Sequence, residues 1–105
     1  MAQKTPKKIG KIVQALEAYE PESIYLFGSW ASGEHDDMSD VDLVIIKSTD
    51  RAFFDRLHEV SQLLPAEVGG VCVLVYTPQE FDVMRKEGNA FAEMVAEEGR
   101  LIYAG

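Results

Sequence analysis

GSWASGEHDDMSDVD, residues 28–42, is the stretch whose reading decides the fold. Its Gly28-Ser29 pair directly follows the apolar run Ile24-Tyr25-Leu26-Phe27, and its Asp40-Val41-Asp42 opens a second apolar run, Leu43-Val44-Ile45-Ile46. In a β-strand the side chains at i and i+2 leave the same face about 6–7 Å apart, so Asp40 and Asp42 reach a shared site. Mg²⁺ suits such a pair, because this hard ion takes one or two carboxylates and keeps its remaining positions for water and phosphate oxygens. Gly28 lets backbone approach a phosphate closely, and a helix beginning at Ser29 adds free N–H groups, a favourable dipole and the Ser29 hydroxyl. Either fragment alone is common in ordinary turns and solvated strand ends. Together they set a phosphate-type turn beside a metal-type carboxylate pair, and paired carboxylates heading an apolar strand are costly unless a cation compensates them.

Upstream, Ile9, Ile12, Val13, Leu16 and Tyr19 recur at helical spacing, which predicts an amphipathic helix over 5–19 ended by Pro21, then a first strand over 23–27. Residues 32–39 are polar and turn-rich, so His35, Asp36 and Asp37 read as solvated loop residues. A second strand over 40–47 puts Val41, Leu43 and Ile45 on one face and Asp40, Asp42, Val44 and Ile46 on the other, as in a strand covered on both sides. Downstream, Thr49 or Asp50 caps a helix over 50–64 with Phe53, Leu57, Val60 and Leu64 as its stripe, Phe54 and Leu63 alongside, and His58 outside it. Pro65 and Gly69-Gly70 precede a third strand, Val71–Tyr76. Thr77-Pro78-Gln79-Glu80 has the form of a capping box and starts a helix over 78–86, followed by one over 89–98 stopped by Gly99 and a short strand over 101–103. Strands alternating with helices give an α/β sandwich.

A chain of 105 residues is expected to form one domain, 1–105. Eighteen acidic and ten basic residues leave a net charge of −8, which argues against direct DNA or RNA binding but is compatible with a nucleotide escorted by Mg²⁺. The dense basic group is Lys4, Lys7, Lys8 and Lys11. Cys72 stands alone, no Cys/His cluster has zinc-site spacing, and neither a signal-peptide core nor a membrane-length apolar run is present, so the expected location is the cytoplasm.

The segment LFGSWASGEHDDMSDVDLVII, a GS pair, ten residues and then DxD between strand-like runs, resembles the signature of the nucleotidyltransferase superfamily that includes DNA polymerase β. The small size and the segments VCVLVYTPQEF and EEGRLIYAG resemble its minimal nucleotidyltransferase (MNT) branch. That resemblance implies a nucleotidyltransferase fold, a small mixed sheet flanked by helices. It also implies that Gly28 and Ser29 hold ATP or another nucleoside triphosphate while Asp40 and Asp42 bind Mg²⁺ and carry the transfer of a nucleoside monophosphate to an acceptor hydroxyl. MNT proteins of this kind resemble one half of a prokaryotic gene pair whose other half is a helical HEPN (higher eukaryotes and prokaryotes nucleotide-binding) protein; in some pairs the MNT member acts as antitoxin, adenylylating or binding the HEPN ribonuclease.

Two positions depart from the family pattern. Cys72 stands where a third carboxylate is expected on the third strand, and Ser32 where an arginine is common. A thiol is a poor Mg²⁺ ligand, and Glu67 could substitute only after a loop rearrangement. Two functions therefore stay open: a Mg²⁺-dependent adenylyltransferase-like enzyme, and a catalytically impaired module that binds a nucleotide or a partner. The oligomeric state, homomeric or with a partner, is not set by the sequence.

Overall fold

The computed structural model describes residues 7–33 and 40–105. In chain order these form helix α1 (Lys7–Leu16), a 3₁₀ turn (Glu17–Tyr19), strand β1 (Ser23–Phe27), α2 (Ser29–Ser32), β2 (Val41–Ile46), α3 (Phe53–Leu63), a second 3₁₀ turn (Ala66–Val68), β3 (Val71–Tyr76), α4 (Pro78–Lys86), α5 (Ala90–Glu98) and β4 (Arg100–Ala104). The four strands make one sheet in the order β3-β2-β1-β4. β1 runs antiparallel to both β2 and β4, and β2 runs parallel to β3. The parallel pair needs a crossover, and α3 supplies it. This is the mixed α/β sheet with flanking helices that the sequence predicts.

Both faces of the sheet are covered. Ile24, Leu26, Val41, Leu43, Ile45 and Val75 pack on one side with Ile9, Ile12 and Leu16 of α1 and Val60 of α3. On the other, Val44 and Ile46, with Tyr25, Phe27 and Tyr76 beside them, meet Phe81 of α4 and Phe91, Met94 and Val95 of α5. Two-sided burial is why β2 reads as an unbroken apolar run after Asp42. Trp30 is buried in the first cluster, beneath the turn that follows β1. No helix among the described residues is long and apolar enough to cross a membrane.

Some boundaries differ from the sequence reading for local reasons. The first helix ends at Leu16, and Glu20 takes a left-handed conformation at φ 57°, so the break falls before Pro21. α3 starts at Phe53 with Ala52 before it and no side-chain cap. Thr49 Oγ1 instead accepts from the Arg51 N–H at 3.1 Å, a tight local turn that takes the hydroxyl away from capping. Phe54, expected beside the apolar stripe, is 80% exposed. His35, Asp36 and Asp37 lie outside the described residues.

Arg56, on the same helix, is only 5% exposed. Its Nε donates to the Arg51 carbonyl at 2.8 Å and its Nη1 to the Val75 carbonyl at 3.2 Å. Nη1 and Nη2 also donate to the two Glu80 carboxylate oxygens at 2.7 and 3.2 Å, a bidentate pair. Glu80 at the same time closes the capping box of α4, accepting from the Thr77 N–H at 2.8 Å while its own N–H donates to Thr77 Oγ1 at 3.1 Å. One carboxylate thus ties α3, the end of β3 and the start of α4.

The guanidinium bond and the capping donors hold the Glu80 pKa below its ordinary 4.5. A depressed carboxylate contributes stability that is present above the unfolded pKa and lost as pH falls through the folded one. Glu80→Gln should therefore destabilise the protein at pH 7 by roughly 2–3 kcal/mol, because a buried arginine loses its counter-charge. The same variant should show a shallower loss of stability below about pH 4.5, which denaturant melts of both proteins across pH 3–7 will measure.

Candidate functional site

The site forms at the end of the sheet where β1 stops and β2 and β3 begin. Hydrophobic runs on both sides of residues 28–42 fix β1 and β2 as neighbours, and the antiparallel register sets Phe27 opposite Asp42. Gly28 follows with φ 76°, a left-handed value that glycine adopts without strain, and the chain turns at once into α2. The turn is closed by the Ala31 N–H donating to the Gly28 carbonyl at 3.1 Å. A Cβ at Gly28 would lie 2.5 Å from Asp42 Oδ2, so the missing side chain makes room for the carboxylate itself.

Asp40 has an equivalent cradle. The Val41 N–H donates to the Gly70 carbonyl at 3.0 Å, which starts the β2–β3 ladder one residue before β3 proper. A Cβ at Gly70 would overlap Asp40 Oδ1 and come within 2.9 Å of its Cγ. The two carboxylates therefore rest against bare glycine backbone, one on the turn after β1 and one on the lead-in to β3. From the sequence Gly70 reads only as a chain breaker; its role follows from β3 running parallel beside the Asp-bearing strand, which only the fold shows.

Asp42 is half-buried and Asp40 exposed. Burial, and then the charge of Asp40, push the Asp42 pKa above the ordinary 3.8. Phe27 shares Asp42's sheet face and stacks edge-on with Phe91 of α5, ring centroids 5.3 Å apart, so the pair walls one side of the carboxylate with hydrocarbon. Two hard oxygen groups side by side, one already strained by the charge of the other, match the donor set of Mg²⁺ with its remaining positions left to water and phosphate.

Cys72 pairs with Asp42 in the parallel register, placing the thiol on the neighbouring strand and the same face, and it is exposed. The third-strand position anticipated for a carboxylate is thus beside Asp42, and its occupant is a thiol. Glu67 does not replace it: that side chain lies in a groove with Lys11, Gln14 and Pro65, on the α1 side. Among the described residues no group of three or more His, Cys, Asp or Glu side chains is arranged to hold a metal. The structure brings together Gly28, Asp40 and Asp42, with Ser29 opening α2 next to them.

Residues 8–105 match the family model "Polymerase beta, Nucleotidyltransferase". The chain is 31% identical over 100 residues to "Putative protein adenylyltransferase MJ0604" of Methanocaldococcus jannaschii, covering 92% of this chain and 96% of that protein. Its fold is similar to the crystal structure of a "putative nucleotidyltransferase" from Sulfolobus solfataricus, with TM-score 0.54, 23% identity and coverage of 99% of this chain and 93% of that one. It is also similar to a chain in a crystal structure of a toxin-antitoxin with AMP-PNP, with TM-score 0.67, 21% identity and coverage of 95% and 75%.

Because the Asp42 pKa is raised, its ionised form opposes folding above the folded pKa, and this effect disappears below pH 3.8 where the carboxyl is protonated in both states. Asp42→Asn should therefore stabilise the metal-free protein at pH 7, by less than about 1 kcal/mol given solvent screening, and leave stability unchanged near pH 3. Gly28→Ala should cost about 1–2 kcal/mol for its left-handed backbone and displace the Asp42 carboxylate. Thermal melts with and without Mg²⁺ check both: the metal should raise the melting temperature of the native protein and of neither variant.

Proposed function

Because the chain belongs to the polymerase beta nucleotidyltransferase family, we propose that it transfers AMP from ATP to an acceptor hydroxyl, with Asp40 and Asp42 as the metal-binding catalytic carboxylates and the Gly28-Ser29 turn as the triphosphate seat. The observation that carries this reading is the convergence of the two carboxylates on glycine backbone at one open end of the sheet. Adenylyl transfer in particular is supported by the name of the Methanocaldococcus relative, and the whole chain 1–105 acts as one nucleotidyltransferase domain.

Mg²⁺ held by Asp40 and Asp42 would acidify the attacking hydroxyl and offset charge on the phosphates. Asp40 and Asp42 would hold that charge, and the φ 76° turn at Gly28 leads directly into α2, whose first backbone N–H groups would meet the phosphate oxygens. The acceptor oxygen forms a bond to the α-phosphorus, the bond to the bridging oxygen breaks, and pyrophosphate leaves with its electron pair. The acceptor proton has no carboxylate on β3 to receive it, since Cys72 occupies that place. Transfer by the native protein is accordingly slow, and it depends on water or Asp42 as proton acceptor.

Cys72 beside Asp42 favours a second reading, a module that binds ATP without efficient transfer and works by holding a partner. The similarity to a chain of a toxin-antitoxin structure supports pairing with a toxin, as target of the transfer or as a bound partner; the MNT resemblance makes that partner a HEPN protein, met in the cytoplasm. Direct nucleic-acid binding is not part of either reading, given the net charge of −8.

Incorporation of α-phosphate-labelled ATP into the candidate partner separates the two. Cys72→Asp should raise the transfer rate by about 10–100-fold, by supplying a metal ligand and a general base, while Asp42→Asn should abolish transfer. Fast transfer by the native protein with no gain in Cys72→Asp would show that Cys72 does not mark a lost carboxylate. Transfer that survives Asp42→Asn would refute the site.

A further inference from the structure

Polyphosphate brings several negative charges to a site that already holds two carboxylates, so a protein cation within reach is needed beside the metal. The family's arginine is absent at Ser32. Four described cations are engaged elsewhere: Arg56 on Glu80, Lys86 on Asp82 at 2.9 Å, Arg51 near Glu59 at 3.7 Å, and Lys47 on the Tyr19 carbonyl and ring.

Lys8 is placed differently. It projects from the first turn of α1, half-buried, with Nζ 5.3 Å from the centroid of the Trp30 ring. Nζ also lies 3.7 Å from where a Cβ of Gly69 would stand. Trp30 belongs to α2, the helix that follows the Gly28 turn against Asp42; Gly69 adjoins Gly70, the residue against Asp40. The ammonium is therefore close to both segments that carry the cradling glycines, α2 and Gly69-Gly70, on the α1 side of the sheet. No described carboxylate forms an ion pair with it. A flexible four-carbon stem resting on an aromatic ring leaves such an ammonium able to swing a few ångströms toward an incoming anion.

We propose that Lys8 binds the phosphate chain of the nucleoside triphosphate, supplying from α1 the positive charge that the α2 helix lacks. This rests on the nucleotide site proposed above and assigns it a specificity residue: Lys8 discriminates ligands by the charge of their phosphates. Trp30 holds the ammonium at the rim, and Gly69, having no side chain, leaves its path open.

The test measures binding of MgATP, adenosine and magnesium tripolyphosphate to the native chain, Lys8→Met and Lys8→Arg by calorimetry, with thermal melts as controls for folding. Methionine keeps the stem over Trp30 and removes the charge; arginine keeps the charge. Lys8→Met should weaken MgATP and tripolyphosphate about tenfold and leave adenosine unchanged, and Lys8→Arg should stay within about threefold of native. Tripolyphosphate binding that depends on Lys8, in a protein that ignores ATP, would support the Lys8 assignment and overturn the nucleotide reading. Equal losses for ATP and adenosine, no loss for either, an arginine variant as weak as the methionine one, or no polyphosphate binding by the native chain would overturn the assignment.

Discussion

Two carboxylates lying against backbone that has no Cβ is the constraint on which the rest of the structure depends. Asp42 needs Gly28 in a left-handed turn, and Asp40 needs Gly70 one residue before β3. Both contacts exist only if β2 pairs antiparallel with β1 and parallel with β3 in the observed register. A slip of one residue would turn each aspartate toward the opposite, apolar face. The buried faces of β2, packed by α1 and α3 on one side and α4 and α5 on the other, forbid that slip.

The sheet is consequently polarised. β3 begins at the carboxylate end and finishes at Tyr76, where the Arg56–Glu80 pair and the α4 capping box lock three elements together. Arg56, Glu80 and Thr77 satisfy one another there through charged and capping hydrogen bonds. At the other end the charges of Asp40 and Asp42 oppose each other, burial adds to the strain on Asp42, and Cys72 stands open to solvent. Stability concentrated at one end and unresolved charge at the other is the distribution expected where a functional site is built into a fold.

Residues whose partners are close in sequence were the most legible. Thr77-Pro78-Gln79-Glu80 announced α4 to the residue, because a capping box is completed within one turn. The alternating faces of β2 also followed from spacing and hydrophobicity. Arg56 was invisible, since the Val75 carbonyl and Glu80 that justify its burial are brought to it only by the fold. Phe54 reads as flanking the apolar stripe yet is exposed, because periodicity cannot tell which flank of a stripe lacks a covering element. Gly28 was recognised, but for its approach to a phosphate; the structure adds the nearer cause, the Asp42 carboxylate. Gly70 and Lys8 matter through neighbours more than twenty positions away, and no local pattern marks them.

Co-crystallising the protein with Mn²⁺ and a non-hydrolysable ATP analogue tests the central claim most directly, because the anomalous signal of the metal locates it independently of the nucleotide. The account predicts a peak bonded to carboxylate oxygens of both Asp40 and Asp42, with the phosphate chain running along the Gly28-Ser29 turn. A metal and triphosphate bound elsewhere on the chain, with Asp40 and Asp42 coordinating neither, would contradict it.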